Sequence, residues 1–327
     1  MINLFTLFLF FDISYAKGIV HHLGNNFVNK NIHQIKNDIQ NLKKLNFNEV
    51  REGIYWQSYQ DKKYSKKINK SFDVYKQSNI NILALIAYSN TKYAKNKFNF
   101  VKLSKNLSQM PIENESNYLI YKFSKYFEKA IIQYPFIKYF EILNEMNILK
   151  YFEGGNKPTE TYFKILQTLY PIAKKYNRKI VTGGLLLEGN YQNWLDFLTK
   201  KETSKYYDVL SIHPYCYPNK LSVATFNSVK FKTIIDNIRL SWKSNKIEKK
   251  AIWISEIGWL HSNDERVNIK SSVLSEKQFK EVLKDLNDVV IDNKIEKYFM
   301  YSLEDDTYLN TVDYKPFGFQ LKSGVLK

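Results

Sequence analysis

The sequence predicts a (β/α)8 TIM barrel, an α/β fold built as a single domain. Short apolar or β-branched runs recur eight times along the chain, and each leads through a polar turn into a longer segment of helical periodicity. The length of 327 residues suits one large α/β barrel, and no Pro/Gly/Ser-rich linker or internal repeat divides it.

The strands read, in order, as "GIVHHLG" near 18–24, "FNEVREGIYW" near 47–56, "NILALIAYSN" near 81–90 and "KYFEILNE" near 138–145. They continue as "KIVTGGLL" near 179–186, "YDVLSIHPY" near 207–215, "KAIWISEIGW" near 250–259 and "KYFMYSLEDD" near 297–306. Between them "NIHQIKNDIQNLKKLN", "ETYFKILQTLYPIAKKYN" and "SEKQFKEVLKDLNDVVIDN" repeat apolar residues at helical spacing. Ser275, three residues before Gln278, supplies a capping box for the last. The competing architecture is an open doubly wound sheet, disfavoured because no G-x-G-x-x-G turn follows the first strand; the glycine pair of "VTGGLL" reads as strand.

In a barrel the active site lies at the C-terminal ends of the strands, and two strands end in carboxylates. Alternation along "EILNE" gives Glu141, Leu143 and Glu145 one parity, and along "AIWISEIGW" it gives Ile252, Ile254 and Glu256 one parity. If those faces are interior, Glu145 and Glu256 emerge into the mouth from strands 4 and 7, on nearly opposite sides. Two carboxyl groups facing each other across a cleft are what glycoside hydrolysis requires: one protonated to release the leaving oxygen, the other ionised to attack the anomeric carbon. For either Glu alone, pairing with Arg51 or a Lys to close the barrel is an equally good reading.

The strand ends "ILNE", "SIHPY" and "WISEIGW", in that order, resemble those of the clan A glycoside hydrolases, the retaining 4/7 superfamily. With "VREGIYW" on strand 2, the chain from about 18 to 320 is most similar to family 39 and its bacterial exopolysaccharide-processing relatives. The resemblance implies Glu145 as general acid/base and Glu256 as nucleophile, with Asn144 bonding the sugar 2-hydroxyl. It implies Arg51 beside the nucleophile, keeping Glu256 ionised while Glu145 stays protonated, and Tyr215 donating its hydroxyl to Glu256. His213 and one of His21 or His22 would line the sugar subsite, His22 being the candidate carried forward. Trp56 and Trp259, at inward strand ends, are candidates for stacking on sugar rings, whereas Trp194, Trp242 and Trp253 read as core. At the end of strand 8, "LEDD" (303–306) stands where many clan A enzymes carry a sugar-facing Trp. Family 39 xylosidases carry an added β-rich domain, and the short stretch after strand 8 leaves no room for one. The expectation is therefore a retaining β-glycosidase acting on a polysaccharide or oligosaccharide, within the polymer, with no cofactor. The rival expectation is a catalytically silent glycan-binding barrel of an export or matrix system.

The rest of the sequence narrows the class. A hydrophobic content of 44% and a charged content of 25% are those of a globular protein. The net charge of +17 invites a nucleic-acid reading, but only four of the 49 basic residues are Arg, the residue preferred for forked phosphate and base contacts, so no nucleic-acid partner is expected. A single cysteine, Cys216, excludes an intrachain disulfide and a paired zinc-thiolate site. His21 and His22 point to opposite faces of a strand, and with few other histidines no metal site is expected. "MINLFTLFLFFDISYA" (1–16) reads as a secretory signal with Ser14 and Ala16 at the −3 and −1 positions, which would leave 17–327 as the mature, secreted or periplasmic chain. A buried N-terminal strand is the alternative. The run is too short for a membrane span, and no oligomeric state is legible.

Overall fold

The computed structural model describes residues 16–21, 31–59, 61–109, 114–215, 228–259 and 274–302. Eight parallel strands close into a barrel in sequence order, β1 (Ala16–Val20), β2 (Glu49–Tyr55), β3 (Asn81–Ala87), β4 (Tyr139–Asn144), β5 (Lys179–Leu186), β6 (Val209–His213), β7 (Ala251–Ile257) and β8 (Lys297–Met300), with β8 returning to β1. This is the (β/α)8 barrel the alternation predicted.

Each predicted helical pattern is a helix. α1 (Ile32–Lys44) follows β1, and α2 (Trp56–Tyr59) and α3 (Lys62–Gln77) follow β2. α4 (Glu115–Gln133), α5 (Pro158–Lys175), α6 (Tyr191–Leu198), α7 (Lys201–Ser204), α8 (Ser228–Ser244) and α9 (Glu276–Asp292) complete the outer ring among the described residues. The starts are chemically marked. Ser275 and Gln278 form the expected capping box at α9, and Asn31 with Gln34 forms a second at α1. No helix of the described residues is long and apolar enough to cross a membrane.

Strand alternation sorts the side chains into two cores. Ile19, Val50, Ile54, Ile82, Ile86, Phe140, Ile142, Ile212, Ile252 and Ile254 face outward into one continuous apolar layer against the helices. Val20, Leu83, Val181, Val209, Trp253 and Phe299, from six different strands, meet inside as the plug of the barrel. Below the plug, the Lys297 ammonium bonds Glu49 and lies 4.9 Å from the Trp253 ring centroid and 5.3 Å from that of Tyr139. Everything toward the C-terminal end is therefore lifted onto a dry, closed floor.

The glycine pair of "VTGGLL" has a packing reason. The β5–β6 register shifts between Val181 and Leu185, and there a Cβ on Gly183 would stand 2.7 Å from the Ile142 carbonyl oxygen. A Cβ on Gly184 would stand 1.9 Å from Nε2 of His213, a ring with no exposed surface. Gly184→Ala must displace that ring, so we expect a loss of about 1–3 kcal/mol, seen as a melting temperature several degrees lower. An unchanged melting curve would contradict the packing.

Candidate active site

Above the plug the interior turns polar, and one side chain organises it. Arg51 lies on the inward parity of β2 and is only 3% exposed. Its Nε donates to Glu141 Oε2 at 2.6 Å, its Nη1 to Glu256 Oε2 at 2.9 Å and its Nη2 to Asn144 Oδ1 at 2.7 Å. Burial opposes the guanidinium charge, but Glu141 and Glu256 more than offset it, so the Arg51 pKa is raised above its ordinary value. Glu256 also accepts, at Oε1, a 2.6 Å bond from the Tyr215 hydroxyl. Burial, then the Glu256 charge, pushes the Tyr215 phenol well above its ordinary pKa and keeps it a donor. Glu256 is thus clasped on both oxygens, one by a permanent cation and one by a phenol.

Glu145 is held from the other side. Its Oε1 and Nδ1 of His213 are 3.0 Å apart, and His213 Nε2 lies 2.9 Å from the Ser255 hydroxyl. Ser255 donates to Glu141 Oε1 at 2.7 Å and accepts from Ser211 at 2.5 Å. The two carboxylates are therefore the ends of one buried chain that runs from Glu145 through His213, Ser255, Glu141 and Arg51 to Glu256. The backbone fixes the Glu145 end: its N–H donates to the Gly184 carbonyl, and the Asn147 amide brackets both backbone groups of Leu186.

The strand ends depart from simple alternation, and this is why they work. Glu141 faces inward as expected, but Leu143 does not follow it. Leu143 has φ +65° and packs with the helix-side core, so Asn144 turns in to meet Arg51 and Glu145, at φ +44°, follows. Left-handed backbone at a non-glycine residue costs of order 1–2 kcal/mol, and here it buries Leu143 while aiming two polar groups at the axis. On β7 the expected inward face of Ile252 and Ile254 is the outward one; Trp253 and Ser255 point inside. Glu256 reaches the centre because the β7–β8 register shifts between Ile254 and Ile257, which lets consecutive residues 255 and 256 both turn inward.

Of the other sequence candidates, Trp56 is corrected: it is 3% exposed, stacks with Tyr93 and Tyr126 at centroid distances of 5.3 and 5.7 Å, and belongs to the core. Trp259, 4% exposed, lies in the same apolar cluster and presents no open ring face. His21 is committed outward, between the Tyr75 hydroxyl at 2.5 Å and Asp38 at 3.1 Å. His22, Cys216, residues 1–15 of the stretch 1–16 read as a secretory signal, and the "LEDD" stretch 303–306 lie outside the described residues. The eighth strand ends at Met300, earlier than read, so the aromatic that closes it is Tyr301, close enough to Tyr215 to act on its titration. Sequence reading also missed a wall on the β2–β4 side, where Tyr55, Tyr88 and Tyr151 lie nearly parallel at centroid spacings of 6.1 and 6.3 Å. Tyr55 shares the parity of Arg51, a signal that could have found it.

Glu145, His213 and Glu256 bring ligand atoms within 4.8 Å of one another, a grouping that could hold a metal ion. Both ring nitrogens of His213 are engaged by Glu145 and Ser255, however, and Arg51 already places a cation on Glu256. The donor set therefore fits acid–base and nucleophilic work by the carboxylates better than metal ligation.

No curated protein matches the chain. Among solved structures, its fold is similar to a monomeric β-xylosidase from Caulobacter crescentus CB15 (TM-score 0.68, 10% identity, 96% of this chain and 66% of that one). It is also similar to the GH39 enzyme from Xanthomonas axonopodis pv. citri (TM-score 0.64, 10% identity, 96% and 64%). A β-glucosidase from Exiguobacterium marinum is matched over almost its whole length (TM-score 0.62, 14% identity, 97% and 96%). The chain spans about two-thirds of the length of the first two. A family model for the glycosyl hydrolase catalytic core matches residues 126–316, which include β4 through β8 and both candidate carboxylates. The chain belongs to the glycosyl hydrolase catalytic core family.

Proposed function

We propose that the protein is a retaining β-glycosidase that cleaves a polysaccharide by double displacement. Glu256 is the nucleophile and Glu145 the acid/base. The observation that carries this reading is the approach of a Glu145 oxygen to within 4.8 Å of a Glu256 oxygen. Retaining enzymes hold their carboxyl groups about 5–5.5 Å apart, whereas inverting ones leave about 6.5–9.5 Å for a water. The environments support the same division of roles. Arg51 and Tyr215 stabilise negative charge on Glu256, whereas among the described residues the charged or polar side chain that bonds Glu145 is the imidazole of His213. Asn144 spends its carbonyl oxygen on Arg51, which leaves its amide N–H groups to bond the sugar 2-hydroxyl as charge develops at the anomeric carbon. Tyr55, Tyr88 and Tyr151 offer apolar faces for the sugar units of a chain.

The first step forms the bond from Glu256 to the anomeric carbon while Glu145 gives its proton to the departing oxygen. In the second, Glu145 takes a proton from water, which displaces Glu256. Glu145→Gln should lower kcat/KM on a polymer about 10²–10⁴-fold, and much less on an aryl glycoside whose leaving group needs no protonation. Glu256→Ala should lose turnover on both. Comparable activity of both variants on either substrate would sink the mechanism, as would a first-formed product of inverted configuration by proton NMR.

We further propose export with cleavage after Ala16. That cut would remove one residue of β1, the one paired with Lys297, and keep the rest of the strand. Amino-terminal sequencing of the protein recovered from its native location should begin at Lys17; a chain beginning at Met1 would refute it.

A further inference from the structure

We infer that Glu141, through Ser255, fixes the tautomer of His213 and so keeps the proton on Glu145. An inventory of hydrogens assigns it, on the reading above that Glu145 is the proton donor. The side chain of Glu141 accepts twice, from Arg51 Nε at Oε2 and from the Ser255 hydroxyl at Oε1. A serine hydroxyl owns one hydrogen, and Ser255 spends it on Glu141. Ser255 must therefore act as acceptor toward its other two neighbours, Ser211 and His213. The 2.9 Å contact to His213 is then an Nε2–H donating to Ser255. A neutral imidazole with its hydrogen on Nε2 has a lone pair on Nδ1, and that lone pair faces Glu145 Oε1 at 3.0 Å. Only a protonated Glu145 can complete that bond. On substrate binding, the leaving glycosidic oxygen competes with Nδ1 for the same hydrogen.

The charges around the ring agree with this assignment. Glu145 and Glu141 approach from β4, Glu256 from β7 and Arg51 from β2, while the Tyr215 ring meets His213 edge-on from the end of β6. Arg51, the cation that the described residues place in this group, is spent on Glu141 and Glu256. The register shift of β7 acquires a role as well. It turns Ser255 toward the acid side and Glu256 toward the nucleophile side of one guanidinium-anchored pair. Glu141 and Ser255 are positioning residues: neither need touch substrate.

Glu141→Gln reverses the chain at one atom. The amide oxygen must stay on Arg51 Nε, so the NH2 faces Ser255, whose hydrogen swings to His213 Nε2. The histidine then carries its hydrogen on Nδ1 and donates it to Glu145, favouring the carboxylate. The alkaline limb of kcat/KM should move to lower pH by about one unit, since a hydrogen bond to a charged group is worth roughly that much. The direct readout needs no turnover. In protein labelled with 15N-histidine, long-range proton–nitrogen correlation near neutral pH should show His213 as the Nε2–H tautomer in the wild type and the Nδ1–H tautomer in Glu141→Gln. Ser255→Ala leaves the Arg51–Glu141 pair in place and should also lose the Nε2–H signature. A wild-type His213 that is Nδ1–H or doubly protonated overturns the inference, and so do variants that keep the wild-type tautomer. If neither variant folds, the wild-type spectrum alone decides. Because the spectrum does not depend on hydrolysis, it fails or succeeds separately from the assignment of Glu145 as acid, which the Glu145→Gln kinetics test.

Discussion

The three-way clasp of the Arg51 guanidinium is the interaction on which the rest of the barrel's upper half depends. A cation this deeply buried is tolerable only when its donors are matched, and here two carboxylates and an amide oxygen match it in the plane of one fork. Removing Arg51 would leave two carboxylates without their shared cation, at a cost of about 3–5 kcal/mol. A lysine could not serve, because it cannot present three donors in fixed directions to β4 twice and β7 once. The same clasp that ties three strands together thus holds one oxygen of Glu256 against a guanidinium.

Around that fixed point the site divides. On one side Glu256 gains a cation and a phenol; on the other Glu145 meets an imidazole, itself held by Ser255, which Ser211 bonds in turn. Two chemically identical residues stand in contrasting surroundings, and Glu141, fully buried between the two halves, touches both through Arg51 and Ser255. The geometry requires small neighbours, which is why Gly184 stands beneath His213 and two serines fill positions where a barrel interior ordinarily carries branched apolar residues.

The fold was legible because hydrophobic periodicity encodes it directly: the apolar runs read near 81–90, 179–186 and 250–259 became strands at 81–87, 179–186 and 251–257. Glu145 and Glu256 were legible as carboxylates ending buried strands, and Arg51, Asn144, His213 and Tyr215 only through the resemblance of the strand ends to a known family; the structure brings the six together. Alternation, however, predicted the wrong inward face for β7 and the wrong direction for Leu143, since a register shift and a left-handed residue are tertiary events that leave no mark in a period-two pattern. Trp56 misled for a related reason. It begins a helix rather than ending a strand, and its ring turns into the core. Ser211 and Ser255 were invisible because a serine in a strand carries no signal until its neighbours in space are known.

The central claim is that the clasped carboxylate, Glu256, is the one that bonds to sugar. It is tested most directly by incubating the protein with 2,4-dinitrophenyl 2-deoxy-2-fluoro β-glycosides of xylose and glucose, then mapping the trapped adduct by mass spectrometry. The account predicts a single added fluoroglycosyl group on the peptide containing Glu256, lost on prolonged incubation with an acceptor. A group carried by Glu145 or Glu141, or ready turnover of these compounds by a Glu256→Ala protein, would contradict it.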